Sequence, residues 1–286
     1  MKIEFESNLL AVMPERLSDI VSIRQNAAIE NVNIEDAMNR RATKFKDVKG
    51  KVVVVPIHGF ISHKATIWSA MGFETSSETL AGWMDDLTSN SNVGAIVLDI
   101  DSPGGTVMGL SGVTDKIHGL RGKKPIIAVV NDLMASAAYF IGSAADEIVA
   151  DPDSMTGCIG TIAVHTDYSK MLEGAGIDVT IFKSAKYKDE GNPYKPLSDD
   201  AKEEYQSMVD SYSDIFVNAV ARNRGVTASK VRSDFGQGRV LMADKAKLVG
   251  MVDRIATFNQ VITDLLPKSD TKAKARSEVA LLELTR

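Results

Sequence analysis

Three stretches of this chain combine residue types that could carry out a reaction. The first is Asp99-Ile100-Asp101-Ser102-Pro103-Gly104-Gly105-Thr106, which follows the apolar run Ala95 to Leu98 and precedes a helical pattern. Adjacent glycines let a backbone turn tightly and aim N–H groups outward, and such donors can hold a developing oxyanion. A plain strand-to-helix turn would carry the same residues. The second is Asn131-Asp132-Leu133-Met134-Ala135-Ser136-Ala137-Ala138-Tyr139, where Ser136 opens a run of small residues after the strand Pro125 to Val130. A serine at a helix start can be only a cap, but small neighbours would also leave its hydroxyl reachable, at a position that favours negative charge. A serine nucleophile needs a base. His58, His63, His118 and His165 are scattered, so the candidate base is a lysine kept neutral by burial, and Lys183, Lys186 and Lys188 cluster in the third stretch, Phe182 to Gly191. Lysines in such a loop can equally be solvated.

Other chemistries lack their residues. There is no H-E-x-x-H, and the single cysteine, Cys158, rules out an internal disulfide and any multi-cysteine zinc site, so no common zinc motif is present. The G-x-S-x-G elbow, the Walker loop and the dinucleotide-binding glycines are absent. Lys and Arg number 33 against 38 Asp and Glu, a net charge of −5 that argues against nucleic acid or an anionic membrane as partner. One cysteine fits a reducing compartment. The start, Met1 to Glu6, carries acids where an export signal would be basic, and the longest uncharged stretches are too short to span a bilayer. A soluble, cytoplasmic protein is expected.

These residues need elements to position them. Val52 to Val55, Ala95 to Leu98, Ile126 to Val130 and Val179 to Phe182 are apolar or β-branched runs of the kind that form strands buried on both faces, and Met251 to Ile255 reads as a last strand. Helical patterns lie between them, near Glu78 to Asn90, Val107 to Leu120, Ser136 to Ala145 and Tyr168 to Ala175, and further helices begin at Ser198 and Thr227. Strands alternating with helices predict a mainly parallel sheet. Ahead of them, Leu9, Leu10, Met13, Leu17, Ile20, Val21 and Ile23 recur near helical spacing, which predicts a helical N-terminal extension over residues 1–47. The domain proper is expected over 48–266, and the charged segment 267–286 reads as a mobile tail.

Taken together and in order, the motifs resemble those of the S49 family of serine peptidases, the signal peptide peptidase A group, which has the ClpP/crotonase fold. Asp101-Ser102-Pro103-Gly104-Gly105 is similar to the family's oxyanion loop, Ala135-Ser136-Ala137-Ala138-Tyr139 to its nucleophile motif, Thr156-Gly157-Cys158-Ile159-Gly160 to a T-G-S-I-G turn, and Lys183 to Asp189 to its lysine loop. The resemblance implies an α/β fold with a twisted, mainly parallel sheet flanked by helices. It implies a Ser136/Lys188 dyad, with an oxyanion hole from the N–H groups of Gly105 and Ala137. It implies no cofactor, polypeptide substrates and a homo-oligomer. Asp189-Glu190-Gly191-Asn192-Pro193-Tyr194 is similar to the corresponding loop of the capsid assembly proteases of lambda-like phages. That implies processing of scaffold or head proteins, the chain itself among them, in the prohead within the host cytoplasm. Cys158 stands where the family has a lysine-orienting serine, and a thiol is a weaker hydrogen-bond partner. Three alternatives remain: a cytoplasmic bacterial relative of the same peptidases, a catalytically silent capsid or scaffold protein, and a crotonase-type acyl-CoA enzyme.

Overall fold

The valine and isoleucine runs become the three longest strands, β3 (Val52–Ser62), β5 (Ala95–Thr106) and β6 (Ile126–Ala135). Branched side chains pack well on a pleated surface covered from both sides, so these runs need no polar alternation. The structure, a computed structural model, describes residues 9–16, 47–48, 51–66, 68–69 and 72–266. The three strands lie side by side in parallel, with β5 between β3 and β6. Register shifts between His58 and Phe60 and between Ile100 and Ser102 mark irregularities in the ladders, which re-aim the strand ends.

Beyond those irregularities the strands change partners. Ile127 to Val130 of β6 pair in parallel with β7 (Glu147–Ala150), while Leu133 to Ala135 pair in parallel with β8 (Met155–Gly157). The far end of β5 pairs antiparallel with β1 (Leu9–Val12), which pairs in turn with β9 (Ile162–Ala163). Short strands complete the sheet: β2 (Asp47–Val48) and β4 (Glu74–Ser76) on β3, β10 (Val240–Met242) on β8, and β11 (Arg254–Ile255) on β7.

Helices cover both faces. The larger core joins Leu80 and Met84 of α1 (Ser77–Ser89), Val113 and Ile117 of α2 (Leu110–Leu120), Phe140 of α3 (Ala137–Gly142) and Phe216 of a later long helix to Val55, Leu98 and Ile100 of the sheet. After α4 (Ser169–Gly174), that long helix is α5 (Asp199–Arg224), capped by Ser198 and ended by left-handed Gly225, as its sequence predicts. The helices α6 (Ala228–Asp234) and α7 (Ala243–Val249) follow. The last, α8 (Phe258–Leu265), sets Val261 and Ile262 against Val97, Val129 and Val149 on the other face. The fold is thus α/β with a mainly parallel sheet flanked by helices.

Arg121 ties this shell together. Its guanidinium donates to the carbonyls of Ser143, Ala144 and Ala145 beyond α3 and of Asn223 in α5. Arg121→Ala would leave those carbonyls without their shared donor, and a loss of about 2–3 kcal/mol is expected in denaturant unfolding. An unchanged midpoint would show that water replaces it.

Three expectations need correction or limits. Leu9–Val12 is a strand and not part of a helix, because both β5 and β9 offer it backbone partners; residues 17–46 of the expected extension lie outside the described residues, as does the tail 267–286. Val179 to Phe182 is no strand: these residues are exposed, Phe182 to 93%, and β-branched composition has no effect without a neighbouring strand to pair with. The Ser102 to Gly105 stretch is not a strand-to-helix turn, since β5 continues through it to Thr106.

Candidate active site

Ser136 stands where β6 ends and α3 begins, with φ 56° and ψ −118°. That positive φ is costly for a residue with a β-carbon, typically about 1–3 kcal/mol, and it persists only where surroundings impose it. Here they do. The Ser136 N–H donates to the Gly157 carbonyl at 2.7 Å, and its carbonyl accepts from Phe140 N–H at 2.9 Å. Ala135, Ala137 and Ala138 are fully buried around it, so the small-residue run is a packing requirement as well as a motif. The Ser136 hydroxyl is buried and has no hydrogen-bond partner among the described residues. It caps nothing.

The glycine pair meets this serine. Gly104 has φ 102°, and a β-carbon on it would lie 2.9 Å from Ser136 Cβ and 3.1 Å from the Ala135 carbonyl oxygen. Only glycine lets β5 approach so closely. A β-carbon on Gly105 would lie 1.8 Å from the Ile61 carbonyl oxygen, so that position too is confined to glycine. Ser102, fully buried, anchors the stretch by donating to the Gly59 carbonyl at 2.6 Å and accepting from Gly104 N–H at 3.1 Å. Ser102 is given no role by the sequence reading, and its place inside the S-P-G-G motif is the signal that marks it. The structure therefore brings Gly104, Gly105, Ser136 and Ala137 together.

Lys188 lies on the surface. It is exposed in the loop after α4, its N–H donating to the Ala185 carbonyl at 3.2 Å, and it makes no bond to Ser136, whose hydroxyl is unpartnered. The burial expected for a neutral lysine is not supplied by the described residues. Its neighbours are committed: Lys183 and Lys195 both bind Asp189, at 2.7 and 2.5 Å, and Lys186 reaches Asp200 at 3.4 Å. The Lys183 hydrogen bond, then that of Lys195, holds the Asp189 carboxyl down at about 2 from its ordinary 3.8. A depressed carboxyl supports the fold above the ordinary value and stops doing so as pH falls through the depressed one. Peptic cleavage within 183–195 should therefore be slow at pH 4 and accelerate toward pH 2; an equal rate at both would show that the clamp does not order the loop.

Cys158 sits next to the nucleophile's strand. It is 8% exposed, packs with Leu133 and Ala135, and has φ 54°. At that φ a β-branched residue is strained, so Cys158→Val should lose stability whatever the thiol bonds to, while Cys158→Ala reports on the sulfur alone. Equal melting temperatures for the two variants would remove this distinction. Three of the histidines bond to other groups: His58 to Asp99 at 3.0 Å, His63 to Ser77 at 3.3 Å and His165 to the Asn192 carbonyl at 3.1 Å. Among the described residues, no cluster of three or more His, Cys, Asp or Glu side chains could hold a metal ion, and no helix is long and apolar enough to cross a membrane.

A mainly parallel sheet whose central strands deliver a glycine pair and a strained, buried serine to one point is the fold around this site. A solved structure of a membrane-bound stomatin-specific protease shares that fold, with a TM-score of 0.50 at 15% identity over 77% of this chain and 89% of that one. The chain belongs to peptidase family S49, whose sequence model matches residues 118–272. Among curated relatives, capsid assembly protease C of Escherichia phage lambda is 27% identical over 89% of this chain and 57% of its own length. Head-tail preconnector protein GP5 of Enterobacteria phage P21 is 27% identical over 78% of this chain and 44% of its own. The chain spans about half the length of the curated relatives it matches.

Proposed function

We propose that this chain is a serine endopeptidase in which Ser136 attacks the scissile carbonyl, Lys188 takes its proton, and the N–H groups of Gly105 and Ala137 hold the oxyanion. The observation that carries the reading is the Ser136 hydroxyl, held at a strained turn against Gly104, buried and without a partner among the described residues. A buried hydroxyl left unbonded costs about 1–3 kcal/mol, which a merely structural serine would have no reason to bear.

The exposure of Lys188 supports assembly. Helix α4 presents Met171, and the exposed loop after it that carries Lys188 presents Ile177, Ile181, Phe182 and Tyr187, apolar surface with little burial of its own. Exposed apolar residues favour association, and a neighbouring copy in a homo-oligomer would bury them and bring its Lys188 to this Ser136. The substrates we propose are scaffold and head proteins of a tailed phage, cleaved in the prohead within the bacterial cytoplasm; likeness to the lambda and P21 proteins supports this.

A fluorophosphonate probe on the purified protein, followed by peptide mapping, tests the nucleophile. Label on Ser136 is expected; a chain that stays unlabelled while assembled would favour a silent capsid protein. Incubation with co-expressed head proteins and mapping of new termini tests the substrate class, and intact head proteins would overturn it.

A further inference from the structure

The edge of β5 beside Ser136 is already occupied, and the occupant is the chain's own Leu9–Val12. Leu10, Ala11 and Val12 pair antiparallel with Thr106, Gly105 and Gly104 on one side, and Leu9 and Leu10 pair with Ala163 and Ile162 on the other. Pairing with the main chain on both flanks is how an extended peptide is bound by β-augmentation. Its side chains alternate as a bound strand's should. Leu9 and Ala11 enter the main core, while Leu10 and Val12 pack with Phe60 and Ile162, and all four are buried. Met13 extends the pairing, donating to the Pro103 carbonyl at 2.8 Å and packing by the Leu133, Ala135 and Cys158 cluster.

The register sets one peptide bond at the nucleophile. With Met13 and Pro103 a bonded pair, the alternation of an antiparallel ladder makes Ala11 and Gly105 the next bonded pair, which points the Gly105 N–H at the Ala11 carbonyl. A β-carbon on Gly104 would lie 2.3 Å from the Ala11 carbonyl oxygen and 2.9 Å from Ser136 Cβ, so carbonyl and serine flank the same glycine. With the strand in place Ser136 is only 1% exposed, and no second peptide can take the same backbone positions.

We propose that Leu9 to Met13 is a substrate strand held in its own active site, closing the cleft to other peptides until it is cut at the Ala11–Val12 bond. The proposal rests on the serine peptidase reading. Ser136 Oγ bonds to the Ala11 carbonyl carbon as its proton passes to the base, and the carbonyl oxygen takes the charge facing the Gly105 N–H. The bond to the Val12 nitrogen then breaks as that nitrogen receives the proton. A water molecule hydrolyses the resulting ester, leaving a carboxyl group on Ala11 and restoring the Ser136 hydroxyl. The segment ahead of Val12 is then free to leave, and the cleft opens.

The test is intact-mass and N-terminal analysis of the purified full chain during incubation, with Ser136→Ala alongside. A new terminus at Val12, formed in the parent and absent from Ser136→Ala, is the expected result. A parent that stays whole, or is cut elsewhere, overturns the proposal. Ala11→Asp, which would have to bury a carboxylate to keep the strand in place, separates this from failure of the underlying reading; Leu9→Asp serves if the first variant does not fold. Either variant should take fluorophosphonate on Ser136 about tenfold faster than the uncut parent, because the strand no longer needs to open locally before the probe enters. Label taken by the variant while the parent stays whole sinks the strand proposal alone. A folded variant with no label on Ser136 sinks the nucleophile with it.

Discussion

Replacing Ser136 by alanine should remove peptide hydrolysis and raise thermal stability together. Loss of a nucleophile costs at least about 10^4-fold in turnover, since only binding and the oxyanion donors remain. The stability change has the opposite sign to most core substitutions. The Ser136 hydroxyl is buried without a partner among the described residues, so removing it abolishes a desolvation cost of about 1–3 kcal/mol, or about 2–4 °C of melting temperature per kcal/mol in a domain of this size. Alanine keeps the strain at φ 56°, so that term does not change. A fluorogenic peptide assay and a thermal melt on one preparation read both effects. Retained hydrolysis would exclude Ser136 from the mechanism, and a lower melting temperature would mean that its hydroxyl has a structural partner.

The second large effect is expected at Lys188, where arginine should be as damaging as alanine, each lowering turnover by about 10^2–10^4-fold. Guanidinium keeps the positive charge but cannot give up a proton inside a protein, so it cannot accept one from serine. Lys183→Arg and Lys186→Arg are the controls. Both lysines are bound to carboxylates, Asp189 and Asp200, which arginine can also hold, so most activity should survive. Turnover measured across the four variants decides the assignment. Activity retained in Lys188→Arg and lost in Lys183→Arg would move the base to Lys183.

Much of the architecture was legible from residue order alone because its signals are local. Valine and isoleucine runs build strands wherever both faces will be covered, and Ser198 and Gly225 bound a helix through hydrogen bonds within one turn of each. The glycine pair and the small-residue serine motif were likewise readable, since close backbone approach leaves only glycine and alanine as options. The resemblance to S49 peptidases then joined motifs that no local rule connects.

What only the tertiary structure decided was pairing and distance. Leu9 to Met13 has the same apolar composition whether it forms a helix or a strand; the choice went to the strand because β5 and β9 supply unpaired backbone on both sides of it. Val179 to Phe182 has better strand composition and forms none, for want of any such edge. The anchoring of Gly104 by Ser102 depends on the Gly59 carbonyl, 43 residues away in sequence, which no spacing rule reveals. The lysine loop is a cluster of cations in the sequence, but which of them are held is decided by partners: hydrogen bonds to Asp189 and Asp200 occupy Lys183, Lys186 and Lys195, while Lys188 is exposed. Sequence order chose the residue types and the strands that carry them, and the packing of one strand against another determined which of those residues meet.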